Sequence, residues 1–583
     1  MPKGQKATGK KPAKKLATQQ SLNGAIKSIC DVMRRSNCAG ALQYVPELTW
    51  ILFLRILDER EAQEAAQAAA VGGHAFTPSL GTPYRWQDWA APEGPKRKQL
   101  KDAALGEFFA FVNGELIPHL KKLRERPNAT PRQKVISEIF SGVERTRIDT
   151  ERNFQDVLDK VHEISAEAVN QTHVFTLSQV YEGLLLKMGE KGNDGGQFFT
   201  PREIIRAMVQ VMAPKCGETV YDPCCGTGGF LAQTYEYMRD QGGPAMMADQ
   251  LETLKHGTFY GREKENLVYP IALANLVLHG IDQPNLWHGN TLTNQETYGG
   301  LFHGAPAAFN VILTNPPFGG KEGKEAQTHF PFKTGATQVL FLQHIINNLA
   351  KKGRCAMVID EGVLFRTNET AFVQTKRKLL DDCDLWCIIS LPGGVFTAAG
   401  AGVKTNLLFF TKGKHTEKIW YYDLSDIKVG KKTPFTRDNF DEFFKLMSKR
   451  GDSDKSWTVD LVARRATAAK KSAPLKKEAD KLEKQATEIK EEIAQLKKDG
   501  QRGGDKITKA ECQCAELSTQ IRELRNKVEA IENAVYDLKA VNPNTDTTGD
   551  TRTPAELLDT IEARAQEIAV ALARLRSRWS SQL

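Results

Sequence analysis

From about residue 21 to 190, apolar positions recur at three- and four-residue steps, which predicts a mostly helical region. Segment 46–70, PELTWILFLRILDEREAQEAAQAAA, opens on an apolar stripe and continues as a polar helix. Glycines and prolines around YRWQDW, between 71 and 100, mark a long connection, and TLSQVYEGLLLKMGEK (176–191) reads as a further helix. After GNDGGQFF the rhythm changes. Thr200 stands where an N-cap is needed, Pro201 at the first helical position and Glu203 where a capping box ends, so TPREIIRAMVQVM starts a helix. Short apolar runs then read as strands: TVYD (219–222), TFYGR (258–262), FNVILT (309–314), CAMVID (355–360) and LWCIIS (385–390). Between several of them lie helical stretches, KENLVYPIALANLVLHG (264–280) and ATQVLFLQHIINNLA (336–350). This alternation predicts an α/β unit, a mostly parallel sheet with helices on both faces. KTNLLFF (404–410) and KIWYYD (418–423), separated by TKGKHTE, read as a closing antiparallel hairpin.

The tail has another period. Leu475, Ala479, Leu482, Ala486, Ile489, Ile493 and Leu496 step by alternating four and three residues, the spacing of a coiled-coil seam. DGQRGGD (499–505) breaks that helix, and Cys514, Leu517, Ile521, Leu524, Val528, Ile531, Val535 and Leu538 resume the step, which predicts two helices folded back on one another. A third stripe, Leu558, Ile561, Ala565, Ile568, Leu572, Leu575 and Trp579, follows a capping signature at Thr553, Pro554 and Glu556. It needs a partner of its own, in this bundle or on another subunit.

At 583 residues the chain is too long for one ordinary domain, and 40% hydrophobic with 26% charged residues is globular composition. No run of about eighteen uncharged apolar residues and no hydrophobic N-terminal signal region occur, so a soluble cytoplasmic protein is expected, with no membrane partner. None of the ten cysteines shows zinc-site spacing; reduced thiols are expected, and no metal site. Net charge is +9, partly from Lys3, Lys6, Lys10, Lys11, Lys14 and Lys15, which face no acid; such an arm is able to grip phosphate, but as a lone feature it reads first as a solvated, disordered tail.

The candidate chemistry gathers at predicted strand ends. TVYD runs into PCCGTGGF, where Asp222 is followed by Gly226, Thr227, Gly228 and Gly229; glycines there let backbone approach a ligand just before a helix N-terminus. Their G-x-G-G spacing is not the G-x-G-x-x-G of nicotinamide enzymes. The next strand ends at Glu263, an acid able to accept the hydroxyls of a ribose, and the following one near Asn290. Strand ends of an open parallel sheet line one crevice, which points to a nucleoside-bearing cofactor without a pyrophosphate. FNVILT then leads into Asn315, Pro316, Pro317 and Phe318 at the same crevice. The Asn315 side-chain oxygen and the Pro316 carbonyl can both accept from an exocyclic amine, the prolines hold them rigidly, and Phe318 offers a flat face for a planar base.

With these motifs the chain resembles amino-methylating DNA adenine methyltransferases, in particular the modification subunit of type I restriction-modification systems. Gln197, Phe198, Phe199, Thr200, Pro201 and Arg202 match the family's motif preceding the glycine loop, DPCCGTGGF the loop, Glu263 its ribose acid, Asn315 to Phe318 its catalytic motif, and LPGGVFTAAGAGVKTNLLFF (391–410) its late segment. Asn290 departs from the Asp often found there. The resemblance implies a Rossmann-like class I methyltransferase sheet, S-adenosylmethionine as cofactor, and N6 of an adenine flipped out of double-stranded DNA as acceptor. It also implies assembly of two such subunits with one DNA specificity subunit, to which a restriction/translocase subunit binds. The expected organisation is a basic disordered arm (1–20), an N-terminal helical domain (21–190), an S-adenosylmethionine-dependent methyltransferase domain (191–450) and a C-terminal helical coiled-coil region that binds a partner (465–583). Alternatives are N4-cytosine methylation, methylation of protein glutamine amides, and an inactive assembly scaffold.

Overall fold

The computed structural model describes residues 19–36, 38, 41–71, 76–163, 200–396, 404–430, 433–498 and 504–544, with the isolated positions 562, 566, 568 and 572. The basic arm up to residue 18, the stretch 176–191, Gln197, Phe198 and Phe199, and the third C-terminal stripe apart from Ile568 and Leu572 lie outside the described residues.

Ten strands of the described residues form one sheet: β1 (Val220–Asp222), β2 (Phe259–Glu263), β3 (Asn285–Asn290), β4 (Gln295–Tyr298), β5 (Phe309–Thr314), β6 (Leu349–Asp360), β7 (Cys383–Ser390), β8 (Thr405–Lys412), β9 (Lys418–Asp423) and β10 (Ser456–Asp460). Their order is β10-β9-β7-β8-β6-β5-β1-β2-β3-β4. From β3 to β6 the pairs are parallel, as the alternating pattern requires, with Val220 opposite both Phe259 and Val311. Burial on both faces explains their near-continuous apolar sequences. One core lies on each face, and the N-terminal helices contribute to the first.

The α/β class stands as expected, but the hairpin does not. β8 lies between β6 and β7, antiparallel to both, and β9 runs parallel to β7 on the other edge of that strand. The reason is burial: Thr405 to Phe410 are buried at every position, so β8 fills an interior slot and excludes β9 from its flanks. The 71–100 connection also differs, since it carries the helices Trp86–Trp89 and Pro95–Lys101. Trp86 and Trp89 are buried, with ring centroids 5.9 Å apart, so tertiary packing orders a stretch whose glycines and prolines suggested only a link.

The helix Ala41–Val71 and the helix Pro131–Ile139 meet the sheet side of the molecule at one ion network. Asp282 Oδ1 accepts from Arg60 (2.8 Å) and Arg132 (2.7 Å), while Arg132 also reaches Glu61 and Glu64. Burial works against the Asp282 carboxylate, yet Arg60 and Arg132 hold its pKa below the ordinary value. At the other end, Leu461–Lys498 and Asp505–Asn533 form the expected antiparallel pair, with Ala479, Ala486, Ile493 and Val528 buried along the seam and Arg525 bridging to Asp480 and Glu483. Beyond it the chain returns to the sheet, where Leu538 N–H donates to the Leu364 carbonyl (3.1 Å). Among the described residues no helix is long and apolar enough to cross a membrane.

Removing one member of a partly buried ion network leaves the others uncompensated. Asp282→Asn is expected to destabilise the junction by about 2–4 kcal/mol. Thermal unfolding followed by circular dichroism checks this, and an unchanged midpoint counts against the network as a junction.

Candidate functional site

Because β1, β2, β3, β5 and β6 are parallel, their C-terminal ends share one edge, and β1 has β2 on one side and β5 on the other. That is the topological switch point, where connections diverge and leave a crevice. Asp222 closes β1, and the chain turns through Gly226 (φ +54°) and Gly228 (φ +80°) into the helix Gly229–Gly242. Three bonds pin the turn: Cys225 N–H to the Arg262 carbonyl (2.9 Å), Asn275 Nδ2 to the Thr227 carbonyl (2.9 Å) and the Thr291 hydroxyl to the Pro223 carbonyl (2.6 Å). Asp222 is buried; its Oδ1 accepts the Thr314 hydroxyl (2.7 Å) and Cys224 N–H (3.2 Å), and burial pushes its pKa up to about 7. The Cys224 and Cys225 thiols are likewise pushed up by burial, which keeps them protonated and unreactive.

Glu263 ends β2 against this turn. Its Oε2 accepts Gly226 N–H (2.9 Å), and its Oε1 accepts Lys264 and Glu265 N–H (both 2.8 Å). Burial outweighs these donors and pushes the carboxyl up to about 7. A carboxylate offers about four acceptor directions, so three are engaged and the open one is on Oε2. That narrows the expected reading of Glu263 as acceptor for both hydroxyls of a ribose. Asn290 ends β3, and its Oδ1 accepts Leu292 N–H (3.0 Å), which fixes the amide and leaves the oxygen one further lone pair.

Asn315 follows β5. Its Nδ2 donates to Thr200 Oγ1 (3.0 Å), and its Oδ1 is buried with no hydrogen-bond partner among the described residues. Thr200 is therefore not the helix cap expected. Pro201 occupies the cap position without a side-chain bond, the helix runs Arg202–Met212, and Glu203 pairs with Arg206 (3.1 Å). The tertiary partner has outcompeted the local one. Pro316 is buried and Pro317 exposed; the Pro316 carbonyl accepts from Gln338 Nε2 (3.3 Å). Phe318, partly exposed, meets Phe396 edge to face at 5.3 Å and 74°.

The structure thus brings Thr200 to Asn315, Gly226 to Glu263, and, through Thr314, Asp222 to the strand that carries Asn315. Gln197, Phe198 and Phe199 are outside the described residues. Sequence reasoning missed Thr314, Gln338 and Phe396 as neighbours of the site. Gln338 carried a faint signal, an amide within an otherwise apolar helical stretch, which must find partners when buried.

Residues 172–483 match the N-6 DNA Methylase family model and residues 22–161 match the HsdM N-terminal domain. The methylase subunit of the type I restriction enzyme EcoEI from Escherichia coli is 35% identical over 407 residues, 69% of this chain and 77% of that protein. The EcoKI methylase subunit of Escherichia coli strain K12 is 31% identical over 434 residues, 71% of this chain and 74% of that one. Among solved structures, one described as a modification subunit of a type I restriction enzyme from Vibrio vulnificus YJ016 superposes with TM-score 0.67 at 32% identity, covering 78% of this chain and 94% of that one. A chain from a structure on complex assembly and conformational transition of the type I R-M system gives TM-score 0.62 at 32% identity, covering 97% and 100%.

At Gly228 an added Cβ meets the Leu276 side chain at 3.1 Å on a left-handed backbone. Gly228→Ala is expected to cost about 1–3 kcal/mol of stability, measurable as a lowered midpoint in scanning calorimetry; a midpoint at or above wild type contradicts the strained turn.

Proposed function

Because the chain belongs to the N-6 DNA methylase family, as a type I restriction-modification methylase subunit, we propose that it transfers a methyl group from S-adenosylmethionine to N6 of an adenine flipped out of double-stranded DNA. The observation that carries this reading is the Asn315 amide: its nitrogen is tied to Thr200, while its buried oxygen has no partner among the described residues and calls for a donor.

The residues at the switch point fit the cofactor. Glu263, held in one orientation by three backbone N–H groups, and Asn290, held by Leu292, keep acceptor directions open beside a glycine turn that admits close approach of a nucleoside. Asp222, Gly226, Thr227, Gly228 and Gly229, with Thr200, Pro201 and Arg202 and the preceding Gln197, Phe198 and Phe199, complete the proposed binding set. When bound, S-adenosylmethionine supplies an electrophilic methyl group on its sulfonium.

The chain's part is to hold the amine. An adenine amino group is a poor nucleophile because its lone pair is delocalised into the ring. Asn315 Oδ1 and the Pro316 carbonyl each accept one N–H, which favours a geometry with the lone pair free of the ring and pointing along the remaining direction. Phe318, braced by Phe396, supplies a stacking face for the base. Unstacking the target costs a few kcal/mol, which stacking and duplex contacts of a partner offset. Positioning then carries the rate, an effect able to supply roughly 7–11 kcal/mol.

Sequence choice belongs to a DNA specificity subunit, two modification subunits to each, with a restriction/translocase subunit joining the complex. The 465–583 region is the proposed partner-binding part, 191–450 the methyltransferase domain and 21–190 the N-terminal helical domain; a cytoplasmic location follows from the substrate.

Asn315→Ala is expected to abolish transfer of labelled methyl to DNA while cofactor affinity stays within about threefold of wild type; retained activity rejects the assignment. A second outcome concerns pH. The Glu263 carboxyl, raised to about 7 by burial, accepts a hydroxyl best when ionised. Cofactor affinity should therefore fall as pH drops through that value, roughly tenfold by one unit below it. Glu263→Gln should flatten the profile in isothermal titration calorimetry, and a flat wild-type profile removes Glu263 from the binding set.

A further inference from the structure

Two acceptors are needed to fix an amine, and the structure fixes them by different means. Asn315 is held through Thr200. Pro316 and Pro317 have no N–H, so this turn cannot be tied down by backbone donors of its own. What the Pro316 carbonyl does have is Gln338, a buried residue at the start of the helix Thr337–Asn348. Gln338 Nε2 donates to the Pro316 carbonyl (3.3 Å), and its Oε1 accepts Asp360 N–H (2.9 Å). The amide therefore spans the exits of β5 and β6. Its orientation is fixed at both ends: a flip would set Nε2 against the Asp360 N–H and Oε1 against the carbonyl, leaving two buried groups unpaired. A carbonyl oxygen has two lone pairs, so one remains for a substrate N–H.

We propose that Gln338 is a positioning residue for methyl transfer, clamping the Pro316 carbonyl to the end of β6 so that its open lone pair keeps the direction an exocyclic amine requires. The inference rests on the function proposed above and adds a residue that touches neither base nor cofactor. Asp360, the other end of the clamp, is itself set in place by capping the helix Glu361–Phe365 through Gly362 N–H, so the clamp is anchored on an ordered element.

The test uses the full chain assembled with its specificity subunit, measuring single-turnover methyl transfer to DNA at saturating cofactor. Rates of each variant are divided by wild type between about pH 8.5 and about pH 6. Gln338→Glu keeps the acceptor for Asp360 N–H but, when ionised, sets a carboxylate oxygen against the Pro316 carbonyl; when protonated, its O–H donates there as the amide did. The expected ratio is about one-tenth at high pH, recovering to within about threefold of wild type at low pH. Gln338→Met cannot donate at any pH and should stay near one-tenth throughout. Both variants should bind cofactor within about threefold of wild type. Ratios near one for both variants overturn the clamp. So does a parallel loss in both with no recovery at low pH and an equal fall in cofactor affinity, which marks a purely structural role. A wild-type complex that methylates no adenine overturns the function and the clamp together, whereas the first two outcomes leave the function standing.

Discussion

The hydrogen bond from the Thr314 hydroxyl to the Asp222 carboxyl joins the last residue of β5 to the last residue of β1. Both residues are buried, and these strands are neighbours at the point where the sheet's connections diverge. Everything that leaves either strand starts from this brace: the glycine turn on one side, Asn315 and the two prolines on the other. Burial raises the Asp222 pKa to about 7, so a proton is readily kept there, and the neutral group avoids the larger penalty of an isolated buried charge. Cys224, whose Sγ lies 3.1 Å from the same hydroxyl, extends the brace into the turn. The cysteine pair is thus part of the packing that sets the turn beside Asn315.

From that fixed point the site is completed by residues far away in sequence. Thr200 approaches from before the helix Arg202–Met212, Gln338 from the helix after β5, and Phe396 from the segment after β7. Each meets a group that strand geometry alone leaves loose: an amide rotor, a proline carbonyl, an aromatic ring. Further out, the chain returning from the coiled-coil pair bonds the Leu364 carbonyl, and Lys376 donates to the carbonyls of Leu364 and Arg366. The turn after β6 is therefore held from two directions, which makes Asp360 a stable post for the Gln338 amide.

Much of this was legible beforehand, for a physical reason. Strands buried on both faces must be apolar throughout, and motifs at their ends fall on one edge once the strands are parallel, so Asp222, Glu263, Asn290 and Asn315 were located by pattern alone. β4 and β10 escaped notice because Gln295 to Thr297 are exposed and Ser456 to Asp460 mix polar with apolar positions. The short link between β8 and β9 suggested a hairpin, but an interior slot for β8 decided the pairing. Thr200 looked like a cap because capping is a local pattern; the Asn315 amide that claims its hydroxyl is 115 residues away and leaves no trace near Thr200. The engaged lone pairs of Glu263 belong to the same class, since a backbone that curls around its own acid cannot be read from residue types.

The choice of a neutral amide at position 315 follows from these contacts. A carboxylate there would offer acceptors alone, so holding it by Thr200 would need the hydroxyl to donate, and its charge would have to be carried into a buried site at a penalty of several kcal/mol. The amide divides the task. Its nitrogen donates to Thr200, and its oxygen accepts without drawing a full charge out of water. A proline carbonyl is the natural second acceptor, because the ring removes the N–H that would otherwise compete for nearby partners and restricts the backbone torsion that aims the oxygen. In the proposed reaction, selectivity for an amine follows from polarity: two fixed oxygens reward a group with two N–H bonds and leave a carbonyl facing lone pairs on both sides.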